Sequence, residues 1–178
     1  MREEYTRGVC MRIHRFQQLL KETINNNKPD VLDSVRTFEE AGYTDKPAGL
    51  VLAFTTGAQF YIQVVRSSVP GGDDPSKEEK IVEKEAPPAI PMPPLAYQGS
   101  KVRTRDIEQF IKAAIINSGS KEVAEVEAYS DRDNSAFYRY GLTVKFHSGA
   151  AVYILFVHTI PAGRELKKES EYQPLDEV

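Results

Sequence analysis

The chain has 178 residues, of which 40% are hydrophobic and 28% are charged, and its formal net charge is −3 at pH 7. This length and balance fit one ordinary domain or two small ones with some solvated segments, and no apolar run reaches the roughly 18 residues of a membrane span. The surplus of acid lies in residues 73–85 and 164–178, so the near-neutral remainder lacks the basic excess of duplex-DNA-binding proteins.

The first predicted element is a helix between residues 11 and 27. Its apolar side chains recur on one helical face, at Ile13, Phe16, Leu19, Leu20 and Ile24. An asparagine run and Pro29 end it, because proline cannot continue the turn. Residues 1–10 lack the apolar core of a secretory signal and are expected to be a flexible extension, which leaves Met1 and Met11 as alternative starts.

Three strands are predicted to follow this helix. Residues 31–38, VLDSVRTF, are rich in β-branched side chains, which favour a strand. Residues 50–55 and 59–67 are predicted to form a hairpin across the sequence TTGA. Gly57 in that turn is expected to supply the positive φ that a tight hairpin requires.

Residues 70–100 are predicted to be a linker. They contain seven of the eleven prolines, with charged residues in the first part and APPAIPMPPLA in the second. Such a composition cannot build helices or strand ladders over any length. A ligand for a proline-binding domain is the alternative interpretation of PPAIPMPP.

The same order of elements is predicted after the linker. A helix over 102–119, with Gly119 placed to cap its end, precedes an alternating strand at 122–130 and a second hairpin across HSGA. Residues 141–157 repeat residues 49–65 at an offset of 92, with eight of 17 positions identical, and the helices align at an offset of 91. Chance similarity of two hairpins is the alternative to a repeat.

The sequence therefore predicts an α+β fold built by internal duplication of an αβββ unit, with antiparallel strands, one helix per repeat and a pseudo-twofold arrangement. The predicted units are residues 11–69 and 101–163, followed by a charged tail at 164–178. Two three-stranded sheets could join edge to edge or pack face to face.

The last strand of the second unit is expected to be buried on both faces. Both faces are apolar, with Val152, Ile154 and Phe156 on one and Tyr153, Leu155 and Val157 on the other. A lone helix covers only one face of a sheet, so the second face must meet the partner repeat, another subunit or a ligand. Self-association into a homo-oligomer is the expected consequence.

No catalytic, cofactor or metal site is predicted. The three histidines, His14, His147 and His158, have Arg105, Thr55 and Arg66 at the equivalent repeat positions, so the repeat does not duplicate a metal ligand. Residues Asp131 to Asp133 lack the glycine and distal glutamate of a calcium loop. Cys10 cannot form an intramolecular disulfide and shows no histidine–asparagine partnership, so a reducing compartment, the cytoplasm, is the expected location.

Tyr138, Arg139 and Tyr140, expected on the strand that enters the second hairpin, are the candidate contact residues. An ordinary strand with a tyrosine edge is the alternative interpretation. The function predicted is a non-enzymatic binding or assembly protein that contacts a protein partner or another copy of itself. The alternative function is single-stranded nucleic-acid association, in which sheet tyrosines and nearby arginines and lysines contact unpaired bases.

Overall fold

The structure is a computed structural model that describes residues 12–67, 76, 78–133 and 137–178. Within these ranges the fold is mixed α+β, and each predicted helix and strand is present. The elements are α1 (Ile13–Asn26), β1 (Leu32–Thr37), β2 (Gly49–Phe54), β3 (Gln59–Ser67), α2 (Thr104–Asn117), β4 (Val123–Ala128), β5 (Gly141–Phe146) and β6 (Ala151–Ile160). In the part of the chain described, no helix has the length and apolarity needed to cross a membrane.

All six strands belong to one antiparallel sheet, in the order β1-β2-β3-β6-β5-β4. At its centre β3 pairs with β6, from Gln59 opposite Ile160 to Ser67 opposite Ala151. The two sets of three strands therefore join edge to edge, which is one of the two arrangements expected. A three-stranded sheet with one helix buries little apolar surface by itself, and the central pairing creates a single larger face for both helices to cover.

Both helices pack on the same face of this sheet and share one core. Phe16, Leu20 and Ile24 of α1 are fully buried, at the four-residue spacing that places them on one side of a helix. The ring of Phe16 meets that of Phe146 in β5 edge-on, with centroids 5.8 Å apart, so α1 contacts the strands that follow α2. The core is therefore common to both halves of the chain.

Two contacts in the first half recur in the second at the offset of the sequence repeat. The Gly49 N–H donates to Gln17 Oε1 over 2.8 Å, and the Gly141 N–H donates to Glu108 Oε1 over 2.9 Å. Lys21 pairs with Glu40, and Lys112 with Asp131, at 2.7 and 2.9 Å. Each helix is thus attached to a strand glycine and to a strand connection of its own half by the same two kinds of contact.

A third recurring contact places an aromatic ring over a strand glycine. A Cβ added at Gly49 would lie 2.3 Å from Phe38 Cε2, and one added at Gly141 would lie 2.7 Å from Tyr129 Cε2. Neither position leaves room for a side chain, because the ring occupies that space and a strand carbonyl crowds the same point. These glycines are required by close packing.

The described part of the predicted linker packs against this body; we call residues 78–100 the strap. Near its start Glu79 pairs with Arg15 of α1 at 2.6 Å. Farther along, Asn117 binds both backbone groups of Ile90, and Leu95 is only 6% exposed. Residues 1–10 and the linker positions 70–75 and 77 lie outside the described residues.

The charged segment 164–178 folds back on the body. The Tyr172 N–H donates to the Val157 carbonyl over 2.8 Å, on the edge of β6 beyond the start of β5. Val178 and Val102 then exchange both backbone hydrogen bonds, at 2.7 and 3.0 Å, and Val178 is 4% exposed. This segment supplies the partners that the end of β6 and the start of α2 lack within their own elements.

Candidate functional site

The candidate site lies on the sheet face opposite the two helices, which we call the second face. Side chains alternate along a strand, so residues next to the core positions point to this side. Tyr61, Gln63 and Val65 of β3 and Tyr153 of β6 are half-buried there. The second face is therefore partly apolar and partly accessible.

Some of this face is covered by the chain itself. Leu155 is 9% exposed and Val157 is fully buried, although neither belongs to the core under the helices. Val157 lies at an irregularity of the β3–β6 pairing and accepts the Tyr172 backbone hydrogen bond. The two-sided burial expected for β6 is thus present, and connections of the same chain supply part of it.

Four aromatic side chains form a cluster at one end of the second face. Tyr43, from the β1–β2 connection, packs edge-on against Phe38, Tyr61 and His158, with ring centroids 4.7, 5.0 and 6.2 Å away. His158 lies opposite Tyr61 in the sheet register and is 3% exposed. The histidine is therefore a component of a packed aromatic cluster.

Burial determines the ionisation of this cluster. It lowers the pKa of His158, because the charged imidazolium loses hydration there. It also raises the pKa of Tyr43 to about 12, and the nearby carboxylates of Asp45 and Glu171 raise it further. The Tyr43 hydroxyl is buried and has no hydrogen-bond partner among the described residues. Both side chains are neutral at physiological pH.

Beside this cluster lies a more accessible group, which we call the exposed aromatic patch: Phe137, Tyr138, Tyr172 and Lys46. The Phe137 and Tyr138 rings meet edge-on with centroids 5.0 Å apart, and the Tyr138 and Tyr172 centroids are 5.8 Å apart. Lys46 Nζ lies 5.1 Å from the centre of the Tyr172 ring, within cation–π range. Phe137 is 93% exposed.

Tyr172 is held in an unusual backbone conformation at the centre of the patch. Its φ is +57°, the left-handed region that costs a non-glycine residue roughly 1–2 kcal/mol. Its N–H binds Val157 and its hydroxyl donates to Gln63 Oε1, so both ends of the residue are attached to the sheet. These bonds fix the ring between Tyr138 and Lys46.

The three predicted contact residues occupy different environments. They precede β5, which begins at Gly141, so their expected position on a strand is wrong. Tyr138 lies in the exposed aromatic patch, and Arg139 is exposed and pairs with Asp176 at 2.7 Å. Tyr140 is 6% exposed and its hydroxyl donates to Asp176 over 2.7 Å. Burial raises the pKa of Tyr140 to about 12, and this hydrogen bond adds to the shift.

Sequence reasoning did not identify the other members of the patch. Lys46 lies in the β1–β2 connection and Phe137 in the β4–β5 connection, and the sequence predicted no contact role for either. Tyr172 lies in the segment predicted to be a charged tail. The available signal was an aromatic residue within a charged sequence, KKESEY, since an aromatic in such a segment often marks a contact with the body.

Among the described residues, no three histidine, cysteine, aspartate or glutamate side chains come together in a way that could hold a metal ion. Family models, curated proteins and solved structures were compared with the chain, and none of the three comparisons found a match.

Proposed function

We propose that this protein is a non-enzymatic binding or assembly protein that associates with a second copy of itself through the exposed aromatic patch. The observation that carries the proposal is Phe137, which is 93% exposed while its ring packs on Tyr138. Covering such a ring in an interface contributes about 1.5–3 kcal/mol. Aromatic residues are enriched at protein interfaces for this reason.

The charges around the patch favour a partner with a similar surface. Lys46 pairs with Glu171 at 2.9 Å, and Arg139 pairs with Asp176 at 2.7 Å. Charges of both signs therefore lie in or beside the patch. Two copies related by a twofold axis could pair the cations of each with the acids of the other.

Sedimentation velocity at protein concentrations of about 1–100 µM tests the proposal. This range detects a dimer whose free energy of association is roughly 5–8 kcal/mol. The chain should show concentration-dependent dimers, and the F137S/Y138S variant should remain monomeric. Ile81, 56% exposed on the strap, supplies a matched control, because I81S removes an exposed apolar side chain elsewhere. A monomer throughout the range, or equal weakening by I81S, would refute self-association through this patch.

We also infer that the chain arose by duplication of an αβββ unit, with units at 11–69 and 101–163 in a pseudo-twofold arrangement. Three contacts found in both halves support this origin: the bond from a helix side chain to a strand glycine, the lysine–acid pair, and the ring over the glycine. If the units are related, alanine at Gly49 and at Gly141 should destabilise the protein in the same way. A large effect at one glycine alone would argue against it.

Association with single-stranded nucleic acid is the second candidate. The accessible Phe137 and Tyr138 rings could stack unpaired bases. Three cations in this half of the chain are paired with carboxylates, however: Arg139 with Asp176, Lys145 with Glu125, and Arg132 with Glu127. Filter binding of labelled oligonucleotides at low salt decides this, because salt-sensitive retention would support it and no retention would exclude it.

A further inference from the structure

We propose that the strap is a second interaction surface, a preformed polyproline ridge made by Pro88, Pro91 and Pro94 that binds the aromatic-lined groove of a proline-binding protein domain. This surface is separate from the exposed aromatic patch and does not depend on its function.

The sequence of the strap determines its backbone conformation. Proline fixes its own φ near −65° and excludes helical geometry from the residue before it. In residues 86–94, APPAIPMPP, this applies to each position except Ala89. These restrictions favour extended, polyproline II geometry, which has three residues per turn and a rise of about 3.1 Å, and residues 86–94 contain no helix or turn.

The burial pattern follows the same three-residue period except at Ala89 and Ile90, which are both exposed. Met92 and Leu95, three residues apart, pack against the hydrophobic core. Pro88, Pro91 and Pro94, also three apart, are all exposed. One ridge of the polyproline helix thus faces the body and another faces solvent over about 19 Å.

The strap is held in place by contacts that leave this ridge accessible. Asn117 at the end of α2 accepts from the Ile90 N–H over 2.8 Å and donates to the Ile90 carbonyl over 2.7 Å. The Tyr97 hydroxyl binds Thr55 at 2.6 Å and accepts from the Thr56 N–H over 3.1 Å. Residues 88–91 are all exposed, although Ile90 among them is attached through its backbone groups.

The inward ridge explains attachment, since Met92 and Leu95 supply the apolar contact. It does not require proline at the three outward positions. An exposed polyproline ridge is what aromatic-lined grooves bind, because the ligand loses little conformational entropy on binding. A cavity of about 660 Å³ lies alongside, lined by Pro93 and Pro94 of the strap and by Pro29 and Asp30 of the α1–β1 connection. A side chain at the edge of the groove could enter it.

The chain contains no tryptophan, which permits a direct binding assay. The probes are an isolated WW domain and an isolated SH3 domain, each with a tryptophan in its proline-binding groove. Adding the full chain should change the tryptophan emission of at least one probe in a saturable way. The P88A/P91A/P94A variant should bind at least tenfold more weakly, or about 1.4 kcal/mol. The P47A/P161A variant replaces prolines outside the strap and its neighbouring cavity and should bind unchanged.

Two further measurements make the result decisive. Circular dichroism and the melting temperature of each variant show whether it is folded. The N117A variant, which releases Ile90 while keeping the prolines, should bind about two- to tenfold more weakly because the ridge is less preorganised. Failure of both probes to bind below about 1 mM, or unchanged binding of the folded triple variant, would overturn the proposal. In that case the outward prolines only stiffen the strap.

Discussion

Replacing Gly49 with alanine should cause one of the largest losses of stability available to a single methyl group in this protein. The new Cβ would lie 2.3 Å from the Ile62 carbonyl oxygen and 2.3 Å from Phe38 Cε2. Carbon contacts are normally about 3.5–4.0 Å, so the overlap exceeds 1 Å on two sides. The carbonyl belongs to the β2–β3 pairing and cannot move alone, so the ring of Phe38 must leave its buried site.

The magnitude follows from these two effects. Overpacking of a filled core costs about 1–3 kcal/mol, and exposing a ring the size of Phe38 costs a further 1.5–3 kcal/mol. We expect a loss of about 3–5 kcal/mol, which would lower the melting temperature by roughly 6–20 °C in a chain of this length. Urea denaturation monitored by circular dichroism measures the free energy of unfolding directly.

Gly42 is the matched control. It has φ of +71° and nothing within 4 Å of an added Cβ, so G42A carries only the left-handed backbone cost of about 1–2 kcal/mol. The G49A/F38A double variant removes the ring clash but keeps the carbonyl clash, and should lose stability relative to F38A alone. A free energy of unfolding for G49A within about 1 kcal/mol of the parent would refute the packing argument.

Two other predictions concern buried and bridging charges. Burial raises the pKa of Glu108 despite opposing hydrogen bonds from Ser130 and Gly141. The folded state therefore binds its proton more tightly than the unfolded state, so stability should rise as pH falls from that raised pKa toward the ordinary glutamate value. E108Q keeps an acceptor for Gly141 and should flatten this part of the pH–stability curve; an unchanged slope would contradict the assignment. Arg15 binds both Glu79 and Glu122, at 2.6 and 2.7 Å, so R15A should cost about 1–2 kcal/mol and speed hydrogen exchange in the strap, whereas exchange at the parent rate would show that this contact does not hold it.

The helices, strands and turns were predictable because their signals are local. The spacing of Phe16, Leu20 and Ile24 defines a helical face without reference to the rest of the chain. Gly57 and Gly119 have φ of +94° and +70°, as expected of a hairpin turn and a helix end. Each signal depends on a few neighbouring residues. Most of the signals occur twice, because the two halves of the chain have similar sequences.

The candidate site was predicted only in part, because its members are far apart in sequence. Tyr138 was identified from its own neighbourhood, but Tyr172 and Lys46 meet it only after the sheet has formed. Tyr140 lies two residues after Tyr138, a spacing that would place both side chains on one face of a strand. Tyr140 is nevertheless buried, because it packs in the core and binds Asp176. Local sequence cannot distinguish two tyrosines whose environments depend on a segment more than 30 residues away.

By itself the sequence determined the type and order of the elements, the extended conformation of the proline segment, and the similarity of the two halves. Each of these follows from backbone sterics or from periodicity within a short window. Only the tertiary structure decided that β3 pairs with β6 and that the strap lies on the body. It also decided that aromatic residues from two strand connections and from the segment 164–178 meet on the second face. Those outcomes depend on the free energy gained when segments distant in sequence bury apolar surface against each other. A local sequence pattern does not show which distant surfaces will pack together.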